Sequence, residues 1–253
     1  MASAIHGNRG QPRPASVATA SAAVGRCHPS YSNRPGSELT DPTTPPDQPS
    51  RAESPALVLE RLKQGHQRFL EGHSQHPHSS RERMLAVVEG QHPLAAVLGC
   101  ADSRVPVELL FDTGFGDLFV VRNAGTMSTT AAIASIEYAV GHLGVPLIVV
   151  LGHESCGAVS AALHPELLLT PNLALVVGQL GMELLQDGAE HTLEECCRRH
   201  TLVSAANLVN SSVLLTDRLR AGLREVVAGY YDLHRSTIDW LGPVQPISYP
   251  LFE

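Results

Sequence analysis

Apolar positions in this chain fall into two rhythms, and most of the runs stop at glycine or proline. A continuous apolar run at residues 94–99, the stretch Asp-Leu-Phe-Val-Val-Arg at 117–122 and the run at 146–151 predict strands. The first is bounded by Pro93 and Gly99, as a strand buried on both faces should be, and the third is the strongest. Between the second and third, Ile133, Ile136, Val140 and Leu143 recur at helical spacing and predict a helix over 129–143, ending at Gly144. Residues 106–111 predict a helical turn, and 156–163 a further helix. Alternation of strand and helix from 94 to 164 is the signature of a parallel sheet with crossover connections.

The same reading extends outwards. Ser54-Pro55 predicts a helix start, with serine as N-cap and proline at the first helical position. Leu57, Leu59, Leu62, Phe69 and Leu70 give that helix an incomplete apolar stripe, interrupted by Gly65. His73, His76 and His78 follow at irregular spacing and read as a solvated loop. A second helix is predicted over 81–88, ending before Gly90. Residues 165–195 look less regular, with apolar patches near Leu167 and Val177. Residues 205–223 predict a helix, 226–233 a strand and 238–241 a short edge strand. The expected fold class is α/β: a small, mostly parallel sheet with helices on both faces and an extended N-terminal helix. One domain is expected over 55–253, with no internal repeat.

Residues 1 to about 54 are rich in Pro, Ser, Ala and Gly and carry no hydrophobic period, so they read as a disordered leader. The part before Glu38 has arginines and no acid, which also fits an organelle transit peptide or an over-long start site. The plain leader is the favoured reading. A net charge of −7 without a Lys/Arg cluster offers no footprint for nucleic acid, and 4% aromatics leaves little to stack on bases. The longest apolar runs are too short to span a membrane. Five cysteines, an odd number without regular spacing, suggest a reducing compartment and hence a cytoplasmic protein. Of these, Cys196 and Cys197 read as one packing and one surface residue rather than a functional pair.

Chemistry concentrates at two half-motifs. Cys100-Ala101-Asp102-Ser103-Arg104 follows Gly99, and His153-Glu154-Ser155-Cys156-Gly157 follows Gly152. Each begins where a strand ends, and ligands in open parallel sheets bind beyond the carboxyl ends of strands. If the strands are neighbours, Cys100, Asp102, His153 and Cys156 converge, and two thiolates, an imidazole and a carboxylate suit tetrahedral Zn²⁺. Either half-motif alone would be weak, since a buried cysteine is usually a small hydrophobe. Asp102 and Arg104, two residues apart, can face the same side and pair. The plain alternative is a structural ion pair. Asp102 then has two options: to fill the fourth zinc position, or to swing to Arg104 and leave that position to water, as catalytic zinc sites require. Water on zinc ionises near neutral pH, and a carboxylate held by arginine would orient it.

The stretches Cys-Ala-Asp-Ser-Arg, Phe-Val-Val-Arg-Asn-Ala-Gly, Ser-Ile-Glu-Tyr-Ala-Val and Gly-His-Glu-Ser-Cys-Gly-Ala resemble the β-class carbonic anhydrases over roughly residues 55 to 242. The resemblance implies zinc held by Cys100, His153 and Cys156, with Asp102 and Arg104 as the catalytic dyad and Asp102 as fourth ligand in a closed, inactive form. It implies CO₂ and bicarbonate as substrates, and a dimer or multiple of dimers whose N-terminal helix embraces the partner. Gln91 stands where the resemblance implies a substrate-binding glutamine that reaches the partner's site. Phe119 and Tyr138 match residues lining the apolar substrate pocket, although a strand and a helix residue could equally be core. The Gly157 amide, at a helix start, is a candidate anion contact for bicarbonate. Two other functions stay open: hydrolysis of CS₂ or carbonyl sulfide on the same zinc, and a non-catalytic zinc-stabilised binding module. A dinucleotide-binding reading fails because no Gly-x-Gly-x-x-Gly follows a strand.

Overall fold

The computed structural model describes residues 53–164, 166–184 and 191–246. The expected leader therefore lies outside the described residues, except for its last two. In chain order the elements are α1 (Pro55–Leu70), α2 (Arg81–Ala86), β1 (Ala95–Cys100), α3 (Val107–Leu110), β2 (Leu118–Asn123), α4 (Thr130–Gly141), β3 (Leu147–His153), α5 (Gly157–Ala162), α6 (Pro171–Leu184), α7 (Leu193–Asn210), α8 (Val213–Arg220), β4 (Glu225–Tyr231) and β5 (Ile238–Pro243).

The strands form one five-stranded sheet in the order β2-β1-β3-β4-β5. The first four are parallel and β5 runs antiparallel along the edge of β4. Every residue of β1 and β3 is buried, which is why their sequences are unbroken apolar runs. Side chains alternate across the sheet. Ala96, Leu98, Ile148, Val150, Val226 and Ala228 pack with α4, α7 and α8 on one face. Ala95, Val97, Leu147, Val149, Leu151 and Val227 pack with α1 and α3 on the other. Because Gly99 pairs with Leu151, β1 and β3 finish side by side and their following turns start from one place.

Helix α1 begins as expected: the Ser54 hydroxyl accepts the Leu57 N–H at 3.3 Å. Its buried face differs from the predicted stripe and consists of Val58, Leu62, Gly65 and His66, leaving Leu57 and Leu70 exposed. Gly65 explains the shift. A Cβ there would run into the Phe111 carbonyl oxygen, so the glycine lets α1 lie against the chain's own α3 turn. The histidine loop is docked by acids: Asp112 accepts the Gln75 and His76 N–H groups and the Arg68 Nε–H, and Asp117 pairs with His78.

Three expectations are corrected downstream. Residues 165–195 hold α6 and the start of α7. Gly178 and Gly181 weaken the helical signal of α6, while Thr192 and Glu195 form a capping box that marks where α7 begins. The single helix expected over 205–223 is two, because Ser212 caps a new start and its hydroxyl accepts the Leu215 N–H at 3.2 Å. Neither Cys196 nor Cys197 is at the surface; α7 packs against β3, β4, α5 and α6, and both thiols are enclosed.

Candidate active site

The turns after β1 and β3 bring Cys100, His153 and Cys156 together. One donor atom from each lies within 4.8 Å of the others, and all three residues are buried. His153 closes β3, and its Nδ1–H donates to the Glu154 carbonyl at 2.8 Å, which leaves Nε2 to face the cluster. Nε2 is buried and has no hydrogen-bond partner. Cys156 is the N-cap residue of α5 and its thiol makes no cap hydrogen bond, so the sulfur is left to face the cluster. A hydrogen bond from the Cys156 thiol pulls the Cys100 pKa below that of a free thiol, and the resulting thiolate pushes Cys156 up. Two facing cysteine sulfurs beside a buried imidazole nitrogen that lacks a partner fit a soft divalent cation such as Zn²⁺.

Asp102 stands next to this group but outside it. Its carboxylate takes a bidentate bond from Arg104, Nε to Oδ1 at 3.0 Å and Nη2 to Oδ2 at 2.7 Å, and also accepts the Arg104 N–H. Oδ2 is 4.0 Å from His153 Nε2. The Arg104 side chain holds the Asp102 carboxyl well below the usual range, and Asp102 raises the guanidinium in return. Arg104 also reaches the Ser155 carbonyl at 3.3 Å and so ties the two half-motifs together.

Other contributors were not foreseen from sequence. Arg122 donates to the Cys100 carbonyl at 2.7 Å and to the Asp102 carbonyl at 2.6 Å, fixing the first turn from the neighbouring strand. An arginine closing an otherwise apolar strand was the available signal. The Glu154 carboxylate accepts the Leu233 and His234 N–H groups and pairs with His234, anchoring the second turn to the end of β4. A methyl group on Gly152 would collide with the Thr201 hydroxyl on α7, so the glycine before His153 is required by close packing.

The remaining expected residues stand elsewhere. Phe119 is level with Ala96 in the β1–β2 register, four residues short of Cys100, or about 13 Å at ~3.3 Å per residue. Tyr138, on α4, lies against it with ring centroids 6.1 Å apart and is half exposed. Gln91 is exposed ahead of β1, at that same far end. These three do not share a pocket with the Cys100 of their own chain. Gly157 is the exposed first residue of α5, next to Cys156.

The carbonic anhydrase family model matches residues 95–238. Carbonic anhydrase 2 of Mycobacterium tuberculosis is 41% identical over 186 residues, covering 71% of this chain and 89% of its own length. The carbonic anhydrase of Mycolicibacterium smegmatis is 38% identical over 194 residues, with 71% and 90% covered. Among solved structures, the β-carbonic anhydrase CafA of Aspergillus fumigatus superposes with a TM-score of 0.56 at 27% identity, covering 76% of this chain and 92% of that one. One of two tetrameric β-carbonic anhydrases of Sordaria macrospora gives 0.57 at 25% identity, with 74% and 95% covered. The family model, the relatives' sequences and the superposed structures agree: the chain belongs to the β-carbonic anhydrase family of enzymes.

Proposed function

We propose that this chain catalyses the reversible hydration of CO₂ to bicarbonate and a proton at a zinc ion held by Cys100, His153 and Cys156, with Asp102 and Arg104 as the catalytic pair. The observation that carries the reading is the buried Cys-His-Cys group with an unpartnered His153 Nε2, beside a carboxylate that is turned onto arginine. Zinc bound there would supply a Lewis-acid centre at which water gives up a proton near neutral pH.

The chain's own residues do the rest. Ionised Asp102 can only accept hydrogen bonds, so it holds an O–H and aims the oxygen lone pair at the CO₂ carbon. Arg104 fixes that carboxylate in one orientation and keeps it charged. Oxygen adds to carbon, the released proton passes to solvent or buffer, and bicarbonate departs. The pairing of Asp102 with Arg104 favours the open arrangement over Asp102 as fourth ligand. The Gly157 amide, at the start of α5, suits one bicarbonate oxygen.

Gln91, Phe119 and Tyr138 stand too far along β1 to serve their own Cys100, so we assign them to the site of a partner subunit. A dimer, or a multiple of dimers, is then part of the working enzyme. The tetrameric Sordaria relatives support that reading.

Stopped-flow CO₂ hydration on protein of known zinc content tests the activity. Turnover should rise smoothly through neutral pH and scale with bound zinc. Activity appearing only at alkaline pH would mean that Asp102 closes the site. Zinc-replete protein without activity at any pH would sink the reading.

A further inference from the structure

After β2 the chain makes a 3-10 turn, Ala124–Thr126, directly beyond Asn123, the register partner of Cys100. Gly125 (φ 76°) and Thr126 (φ 56°) are both left-handed and both buried. Threonine pays on the order of 1 kcal/mol for that conformation, so something must hold it. Asn123 clasps Met127 from below, accepting its N–H and donating to its carbonyl, each at 2.7 Å.

The upper side of the turn is held by α7. The His200 Nε2–H donates to the Gly125 carbonyl, and the Ser204 hydroxyl, one turn later on the same helix face, donates to the Thr126 carbonyl at 2.6 Å. Behind it, His200 Nδ1 lies 3.5 Å from the Glu183 carboxylate on α6 without a hydrogen bond between them. Gly125, Thr126 and His200 share a cavity of about 10 Å³ with His153 and Cys156. The turn is therefore packed against the donor group, and α7 dictates its position.

We infer that His200 is a positioning residue for the metal centre: through the Gly125 carbonyl, with Ser204 holding that of Thr126, it fixes the Gly125–Thr126 turn against His153 and Cys156. The inference rests on reading Cys100, His153 and Cys156 as zinc ligands. A turn packed against metal ligands sets their direction and the shape of the site around them, as outer contacts of metal ligands generally do. His200 acts through a peptide and touches no reacting atom.

The test compares His200→Leu, His200→Gln and Ser204→Ala with the unaltered full-length protein. Zinc affinity is measured by chelator competition, the sulfur-to-cobalt charge-transfer band is recorded on Co²⁺-loaded protein, and the melting temperature of metal-free protein reports on the fold. His200→Leu should lose about tenfold to a hundredfold in zinc affinity and shift the band. His200→Gln, whose amide can donate to the same carbonyl, should restore both. Ser204→Ala should lose several-fold and shift the band in the same direction. A folded His200→Leu with unaltered affinity and band overturns the inference, as does an equal loss in His200→Gln. If His200→Leu does not fold, Ser204→Ala decides, and an unmoved band there overturns it. A band absent from the unaltered protein overturns the zinc reading and this inference with it, whereas a normal band indifferent to the variants overturns this inference alone.

Discussion

Asp102 shows how much one residue's setting decides. Both of its oxygens are committed to Arg104, and the carboxylate stays ionised far into acid. Asp102→Asn and Arg104→Ala should each cut CO₂ turnover by about a hundredfold or more while chemical analysis still finds zinc near one per chain. Equal loss of zinc and fold in both variants would show a structural ion pair instead. Asp112, by contrast, is a stability residue. Burial alone would raise its pKa, but the Gln75 N–H, Arg68 and the His76 N–H together outweigh that and bring it below the usual value. Its side chain is completely buried. A depressed folded-state pKa means that the contribution is complete above the unfolded value of about 3.9 and fades as pH falls through the folded one. Urea unfolding of Asp112→Asn should show about 1–3 kcal/mol less stability at pH 7, with the gap to the unaltered protein closing at strongly acidic pH.

At the scale of elements, close approach of α7 to β3 places His153. Gly152→Ala should cost about 1–3 kcal/mol by pressing a methyl group into Thr201, and adding Thr201→Ala should recover part of that loss in thermal melts. Simple additivity would mean that the contact does not matter. Sequence made the parallel sheet and both half-motifs legible, because β1 and β3 are buried on both faces and their apolar runs end where the donors begin. The Ser54 cap and the edge position of β5 were legible for similarly local reasons. What escaped was set by distant contacts. The buried face of α1 depends on Gly65 meeting Phe111, and the extent of α6 is blurred by glycines that a single-helix period cannot excuse. Arg122, His200 and Thr201 act on the site from a neighbouring strand and from a helix some fifty residues downstream of His153, so no spacing announces them.

At the scale of the whole molecule, the two ends of β1 serve different purposes. Cys100 closes one end, while Gln91, Phe119 and Tyr138 gather near the other. If they complete a partner's site, Gln91→Ala and Arg104→Ala protein should each be poorly active alone, yet their co-expressed mixture should recover roughly a quarter of normal activity, since half the dimers hold one intact site of two. No recovery would place Gln91 in its own chain's site. The position of the donors has a further consequence. Between Cys100 and His153 lies the whole crossover of α3, β2 and α4, so the donors meet only after that loop has closed and β1 has found β3. Zinc on this centre would be a late passenger in folding: the ion would leave the rate of collapse untouched and lengthen the lifetime of the finished molecule, acting as a latch on escape rather than as a seed for assembly.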